Sequence, residues 1–247
     1  MSRHKSVLGV LVLGIFCFCA IGVGSASATT TERCTDLFQT SQTRTFYKDA
    51  RCAVKEAAGE FHRTVLGGNT FTRWYYKSDN AFSTMIVGVT LTIDCEALTS
   101  SSGSAENLEV EKVMTVKGKE MVIEYGKCKV VAPAGKGCEV GSTIKTNKLK
   151  SSLPTVKEGE QVKVKLEPES GSKIATITVS GCSVSALNGE KPLEGSMQGV
   201  VPSSEPFILE FTAGSGSSLT LGSTAATYTG ANGSEEAGTE EVLELIP

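Results

Sequence analysis

Six of the eight cysteines of this 247-residue chain, Cys34, Cys52, Cys95, Cys128, Cys138 and Cys182, lie outside the apolar N-terminal run that holds Cys17 and Cys19, and they are the side chains with the widest chemical reach. Thiols can close disulfides, ligate a metal as thiolates, or attack a substrate. Their spacing argues for the first use. No two of them have the Cys-x-x-Cys separation of zinc and redox motifs, and apart from His4 the chain has one imidazole, His62. An even set of cysteines in an exported chain is expected to be oxidised in pairs. Structural disulfides are therefore expected, and no metal or cofactor.

Connectivity is not decided by sequence, since six cysteines allow many pairings. Cys34–Cys52 would close a short polar loop, a constraint worth about 3 kcal/mol in the chain-entropy picture. Cys128–Cys138 would bracket Pro133, Gly135 and Gly137 as a clip at a strand end, leaving Cys95–Cys182 to join strands far apart in sequence. The competing set pairs Cys95 with Cys128 and Cys138 with Cys182. The first set is the expectation.

Other chemistry is thin. A serine hydrolase needs a nucleophile, a base and an orienting carboxylate. No Gly-x-Ser-x-Gly elbow occurs, and the one available base, His62, sits in Glu60-Phe61-His62-Arg63, where it reads as an exposed strand residue. Paired carboxylates for glycoside hydrolysis cannot be picked out of 23 glutamates by spacing. With only four aspartates, calcium-loop chemistry is unpromising. Gly135-Lys136-Gly137 lacks the flanking residues of a phosphate loop. No catalytic residue is nominated, and an enzyme is disfavoured.

The one recognition candidate is Phe71-Thr72-Arg73-Trp74-Tyr75-Tyr76, which holds the only Trp of the chain. On a strand Trp74 and Tyr76 share a face and could form a wet platform for sugar rings or a protein contact. The plainer reading is that these rings fill a core poor in aromatics.

The elements that must position these residues follow from the periodicity. Met1–Ala28 has the three parts of an export signal: basic Arg3 and Lys5, an apolar run from Val7 to Val23, and the small-x-small site Ala26-Ser27-Ala28. The mature chain is expected to run from Thr29 to Pro247 as a single β-rich extracellular domain, with no stable membrane span after cleavage. Ser-rich Thr99–Ala105 marks a possible subdomain break. Formal net charge is −3, and −5 once Arg3 and Lys5 have left. With no basic block, the footprint of a nucleic-acid binder is missing.

Beyond the signal, a two-residue period dominates. Val162, Val164 and Leu166 alternate with Lys163 and Lys165, and Phe207, Leu209 and Phe211 repeat the pattern. Further strands are expected at Glu60–Leu66, Phe71–Lys77, Met85–Cys95, Leu108–Val116, Glu120–Lys129, Ser142–Thr146, Lys148–Leu153, Lys173–Ser180, Leu193–Val200, Leu219–Leu221, Ala225–Thr229 and Glu240–Ile246. Turn signals separate them, among them Lys117-Gly118, Ser170-Gly171, Asn188-Gly189 and Asn232-Gly233. The fold class is all-β: an antiparallel sandwich or barrel of about a dozen short strands, with at most one short helix after the signal, at Ala50–Gly59.

Several stretches carry a resemblance: Cys34 through Cys52, Tyr125-Gly126-Lys127-Cys128, Cys138 through Leu149, Pro168 to Cys182, and Leu219 to Ala226. In these the chain resembles a group of uncharacterised secreted, cysteine-containing β-rich proteins common in soil actinobacteria. The resemblance implies export, β structure and structural cysteines, and transfers no activity and no functional residue. The functional expectation is a secreted protein with a surface interaction or structural role, its partner a cell-envelope component or glycan. The alternative is a secreted hydrolase acting on polysaccharide or ester substrates.

Overall fold

The computed structural model describes the backbone of residues 26–27, 30–36, 46–47, 61–65, 70–110, 113–152, 156–157, 161–202, 208–236 and 243–246, and side chains within 74–78, 80–105, 117–152, 161–202 and 208–233. The first strands are β1 (Ala26–Ser27), β2 (Thr30–Asp36), β3 (Phe46–Tyr47) and β4 (Phe61–Val65). Three long strands follow, β5 (Thr70–Ile86), β6 (Val89–Val110) and β7 (Val113–Ala132). Next come short pieces: β8 (Glu139–Val140), β9 (Thr143–Lys145), β10 (Leu149–Ser152), β11 (Val156–Lys157), β12 (Lys163–Pro168) and β13 (Lys173–Ser180). After a 3-10 turn at Ser185–Leu187, the chain continues as β14 (Gly189–Val200), β15 (Ile208–Phe211), β16 (Ser218–Leu221), β17 (Thr224–Glu236) and β18 (Leu243–Ile246).

Twelve of these strands form one antiparallel sheet, and the sheet closes on itself. Strand β12 pairs with β10 on one edge (Leu149 opposite Pro168) and with β14 on the other (Lys163 opposite Val200). Strands β12 and β13 lie end to end along β14, with Lys163–Leu166 against Val200–Met197 and Lys173–Val179 against Glu194–Gly189. Likewise β9 and β10 lie along β7, and β15 and β16 along β17. The staves therefore run in chain order: β5, β6, β7, β8–β10, β12–β13, β14, β15–β16 and β17, with β17 returning to pair with β5. Of the two all-β forms expected, the structure is the barrel. Closure satisfies the hydrogen-bonding edges that an open sheet would expose.

Alternation fills the interior. Each stave sends one face inward, and Phe82, Ile93, Tyr125, Leu149, Leu166, Leu193, Phe211 and Tyr228, one from each stave, belong to a single buried cluster. Two small sheets accompany the barrel. One orders β18, β2, β4 and β3, and places Thr35 opposite His62 and Cys34 opposite Arg63. The other pairs β1 with β11, Ala26 facing Lys157.

Several sequence expectations need correction. Met85–Cys95 is not one strand, because the chain reverses at Val87 and Gly88, both at positive φ (45° and 78°) as a type I′ hairpin turn requires. The strand expected at Leu108–Val116 folds back likewise, pairing Val110 with Val113. Lys117-Gly118 and Asn232-Gly233, expected as turns, lie inside β7 and β17. Thr99–Ala105 is no linker but belongs to β6, paired on both sides (Thr99 with Tyr75 and Glu124). The expected helix at Ala50–Gly59 and the body of the export signal lie outside the described residues.

Candidate functional site

The barrel's centre is an aromatic interlock. Phe82 stacks on Tyr228 with centroids 4.9 Å apart, while Tyr125 meets Phe82 edge-on at 5.1 Å and Phe211 meets Tyr228 at 4.9 Å. Such edge-to-face and offset contacts satisfy the ring quadrupoles as well as burying area.

A polar group of four residues is set into this interlock. Tyr228 donates its hydroxyl to Asn80 Oδ1 and accepts from Asn232 Nδ2 at 3.0 Å; Asn80 Nδ2 donates to the Ser78 carbonyl at 3.1 Å. Tyr125 is the fourth member, its ring edge-on to that of Tyr228 at 5.9 Å. All four side chains are buried. Burial pushes the Tyr125 phenol up to about 12, against a smaller lowering by the Tyr228 hydroxyl. Burial, reinforced by the neighbouring Tyr125, holds the Tyr228 phenol well above the usual range. Both phenols are neutral hydrogen-bonding groups at neutral pH, unsuited to act as general bases there.

Gly230 and Gly233 make room for the cluster. A Cβ on Gly230 would stand 2.6 Å from Asn80 Oδ1, and one on Gly233 would enter the Tyr75 ring. This explains the misread turn signal: the glycine in Asn232-Gly233 admits a ring from β5, and Asn232 points into the barrel. Sequence reasoning passed over Asn80, Asn232 and Tyr228. The one available signal was that an Asn between inward-alternating residues has to be satisfied inside.

Trp74 and Tyr76, the aromatic pair nominated for ligand stacking, share a face as expected, but that face is inward. Trp74 is 8% exposed and belongs to the core cluster, its backbone amide donating to Ser100 Oγ at 2.7 Å. Tyr76 is half-buried and packs against the same cluster. His62 lies on β4, and its side chain is outside the described residues.

The cysteine pairing is the competing set, and the favoured one is corrected. Cys95 and Cys128 are directly opposite each other on β6 and β7, Cα atoms 4.0 Å apart, and bonded. Cys138 is bonded to Cys182, Cα atoms 4.1 Å apart. The physical reason is register. Strand β7 carries Cys128 alongside Cys95, while β8 pairs Glu139 with Ser180 and so brings Cys138 beside the residues that follow β13. Neither Cys128–Cys138 nor Cys95–Cys182 forms. The Cys34–Cys52 expectation lies outside the described residues.

The outer surface is divided. Ion pairs cover the barrel on the side of β6, β7, β9, β10 and β12: Lys129 with Glu96, Lys145 with Glu124 at 2.5 Å, Lys148 with Glu120 at 2.6 Å, and Glu167 between Lys165 at 2.5 Å and Lys150 at 3.4 Å. Lys148 holds the Glu120 carboxyl below its usual range by hydrogen bond and charge, and Lys165, then Lys150, do the same for Glu167. Toward the β5–β6 hairpin, on β16, the first half of β17, the end of β5 and the start of β6, the outward rows are uncharged. Thr220 faces Ala225, Thr227 faces Ser83 and then Thr92, and Met85 faces Thr90. Ser83 and Thr92 join hydroxyls at 2.9 Å. The exposed large apolar side chains of the described residues are Met85 at 60% on β5, Val87 at 74% at the hairpin tip, and Val131 at 42% in the bulge at the end of β7, beside Thr92.

Among the described residues no group of three or more His, Cys, Asp or Glu is placed to hold a metal, and no helix is long and apolar enough to cross a membrane. Compared with family models, curated proteins and solved structures, the chain matches none of them.

Proposed function

We propose that this chain is a secreted, non-catalytic β-barrel protein that works through its outer surface, contacting a cell-envelope component or glycan. The observation that carries the reading is the division of that surface. One side is laced with ion pairs, whereas the surface around the β5–β6 hairpin presents uncharged hydroxyl and methyl rows, with Met85 and Val87 on the hairpin and Val131 at the adjoining end of β7. Interaction surfaces are depleted in charge at their centres, and exposed clustered apolar groups on a soluble fold mark contact sites. The filled interior points the same way, because the aromatic interlock occupies the space in which a barrel of this size holds a small ligand. Export is supported by the signal pattern and by two disulfides.

Retention of the oxidised mature protein on cell-envelope preparations and on insoluble polysaccharide tests the reading. Met85→Lys combined with Val131→Lys is expected to weaken retention about tenfold, the loss that follows from removing some 1.4 kcal/mol of contact. Retention indifferent to these changes sinks the assignment of this face. Release of sugars or acids from the polysaccharide or from ester substrates by the wild-type protein would put a hydrolase in its place.

A further inference from the structure

The two disulfides differ in what surrounds them. Cys95–Cys128 is embedded in the β6–β7 ladder, with Asp94 paired to Lys129 on one side and Ala97 to Gly126 on the other, and both cysteines are buried. To reach it a reagent must pull β6 away from β7. Cys138–Cys182 lies at one end of the barrel, where Cys138 is half-buried and next to a strand of two residues.

The segment that Cys182 begins is a cap. It runs from Cys182 through the turn Ser185–Leu187 to Asn188, and it places Leu187 in the buried cluster. Its internal bonds make it a unit: Asn188 uses its carboxamide both to accept from the Cys182 amide and to donate to the Cys182 carbonyl, each at 2.9 Å. Lys191 Nζ donates to the Ala186 and Asn188 carbonyls at 3.2 and 3.4 Å, closing the turn from the β14 side. Toward the β7–β8 connection the cap has few fastenings: the Ser183 amide donating to the Lys136 carbonyl at 2.9 Å, and the disulfide itself. The two backbones cross closely here. Gly137 and Gly181, both at positive φ, leave no room for a side chain, since a Cβ on Gly181 would sit 2.7 Å from the Gly137 carbonyl oxygen.

We propose that Cys138–Cys182 is a redox clasp: a dithiol reductant opens it in the folded protein and frees the 182–188 cap, while Cys95–Cys128 stays closed. One thiolate of the dithiol attacks Cys138 Sγ, the more accessible partner. The Sγ–Sγ bond breaks, and its electron pair leaves on Cys182 Sγ, which takes a proton from water. The second thiol of the reagent then displaces Cys138, which is protonated in turn. The reagent ends as a cyclic disulfide, and the protein has gained two electrons and two protons. Released from the β7–β8 connection, the cap pivots as a unit on Asn188 and Lys191 and uncovers Leu187. The fold thus carries one permanent staple and one reversible one.

The test treats the oxidised full-length protein with dithiothreitol under native conditions, alkylates with N-ethylmaleimide, and follows labelled peptides and amide exchange by mass spectrometry. Cys138 and Cys182 are expected to label about tenfold faster or more than Cys95 and Cys128, with exchange rising across 182–188 and unchanged in β5, β6 and β7, as local opening requires. Equal labelling of both pairs, arriving with exchange throughout the barrel, overturns the clasp. So does fast labelling of Cys138 and Cys182 with no change in exchange across the cap. Cys138→Ser with Cys182→Ser supplies a second reading, fast cap exchange without reductant; slow cap exchange in that variant also refutes the proposal.

Discussion

Asn232 donates its carboxamide to the Tyr228 hydroxyl at 3.0 Å across Gly230, which lies between them on the same strand. The missing side chain at Gly230 is what lets Asn80 from β5 complete the contact, since its Oδ1 occupies the space a Cβ would need. One glycine, two amides and a phenol thus tie β5 to β17, the pair that closes the barrel.

Removing the hydroxyl should expose that dependence. Tyr228→Phe keeps the ring stacked on Phe82 but leaves the Asn80 and Asn232 amides short of a buried partner, so the expected loss is about 1–3 kcal/mol of stability. Urea denaturation of the variant beside wild type measures it, through a lower midpoint at unchanged slope. Gly230→Ala, which forces a methyl against Asn80, is expected to destabilise as well. A midpoint unmoved in both variants would show that the cluster contributes nothing.

Alkaline pH tests the same cluster without mutation. Tyr125 and Tyr228 have folded pKa values raised above that of an unfolded tyrosine, Tyr125 to about 12. The folded state then binds more protons than the unfolded state above roughly pH 10, and stability falls as pH rises. The contribution is complete below about pH 10 and drains away upward through the folded pKa values. Thermal midpoints between pH 8 and 11.5 should stay level and then drop, and the drop should be shallower in Tyr125→Phe. Equal slopes in variant and wild type would assign the effect to other groups.

Much of this fold was legible because alternation and turn chemistry agree over most of the barrel. Ala175–Ser180 alternates cleanly up to Gly181, after a bulge at Ile174, and the strand runs from Lys173 to Ser180 as expected. Misreadings arose where one residue type serves two purposes. In Ile86-Val87-Gly88-Val89, β-branched residues favour extended chain, so the hairpin tip is invisible to propensity; tertiary pairing of β5 with β6 imposes the turn. In Asn232-Gly233 the turn signal is genuine locally, but the glycine is needed for the Tyr75 ring. The disulfides and the Asn80–Tyr228–Asn232 cluster depend on register between strands distant in sequence, and spacing along the chain contains no information about that register.

The hairpin tip yields a stabilising change. Val87 holds φ at 45°, where a β-branched side chain is strained by roughly 1–3 kcal/mol, and its side chain is exposed. Val87→Asn places there a residue that tolerates this conformation, and a gain of about 1 kcal/mol is expected. Thermal denaturation measures it. Because the proposed contact face includes Val87, the same variant should hold less well to envelope material, so that stability rises while retention falls.

Connectivity can be checked directly, and its energetic consequence follows. Peptides released without reduction should contain Cys95 joined to Cys128 and Cys138 joined to Cys182. Recovery of Cys128–Cys138 or Cys95–Cys182 would overturn the register on which the barrel assignment rests. Cys95 and Cys128 are 33 residues apart, and a loop of that length is worth roughly 4 kcal/mol in the chain-entropy picture. The two residues face each other across the ladder, so the bond is made within the native register. Cys95→Ala with Cys128→Ala is therefore expected to lower stability by about 2–4 kcal/mol, and Cys138→Ala with Cys182→Ala, which opens a loop of 44 residues, by a comparable amount. Denaturant midpoints of the two double variants measure both losses. A midpoint unmoved in either variant would show that its bond does not constrain the unfolded chain.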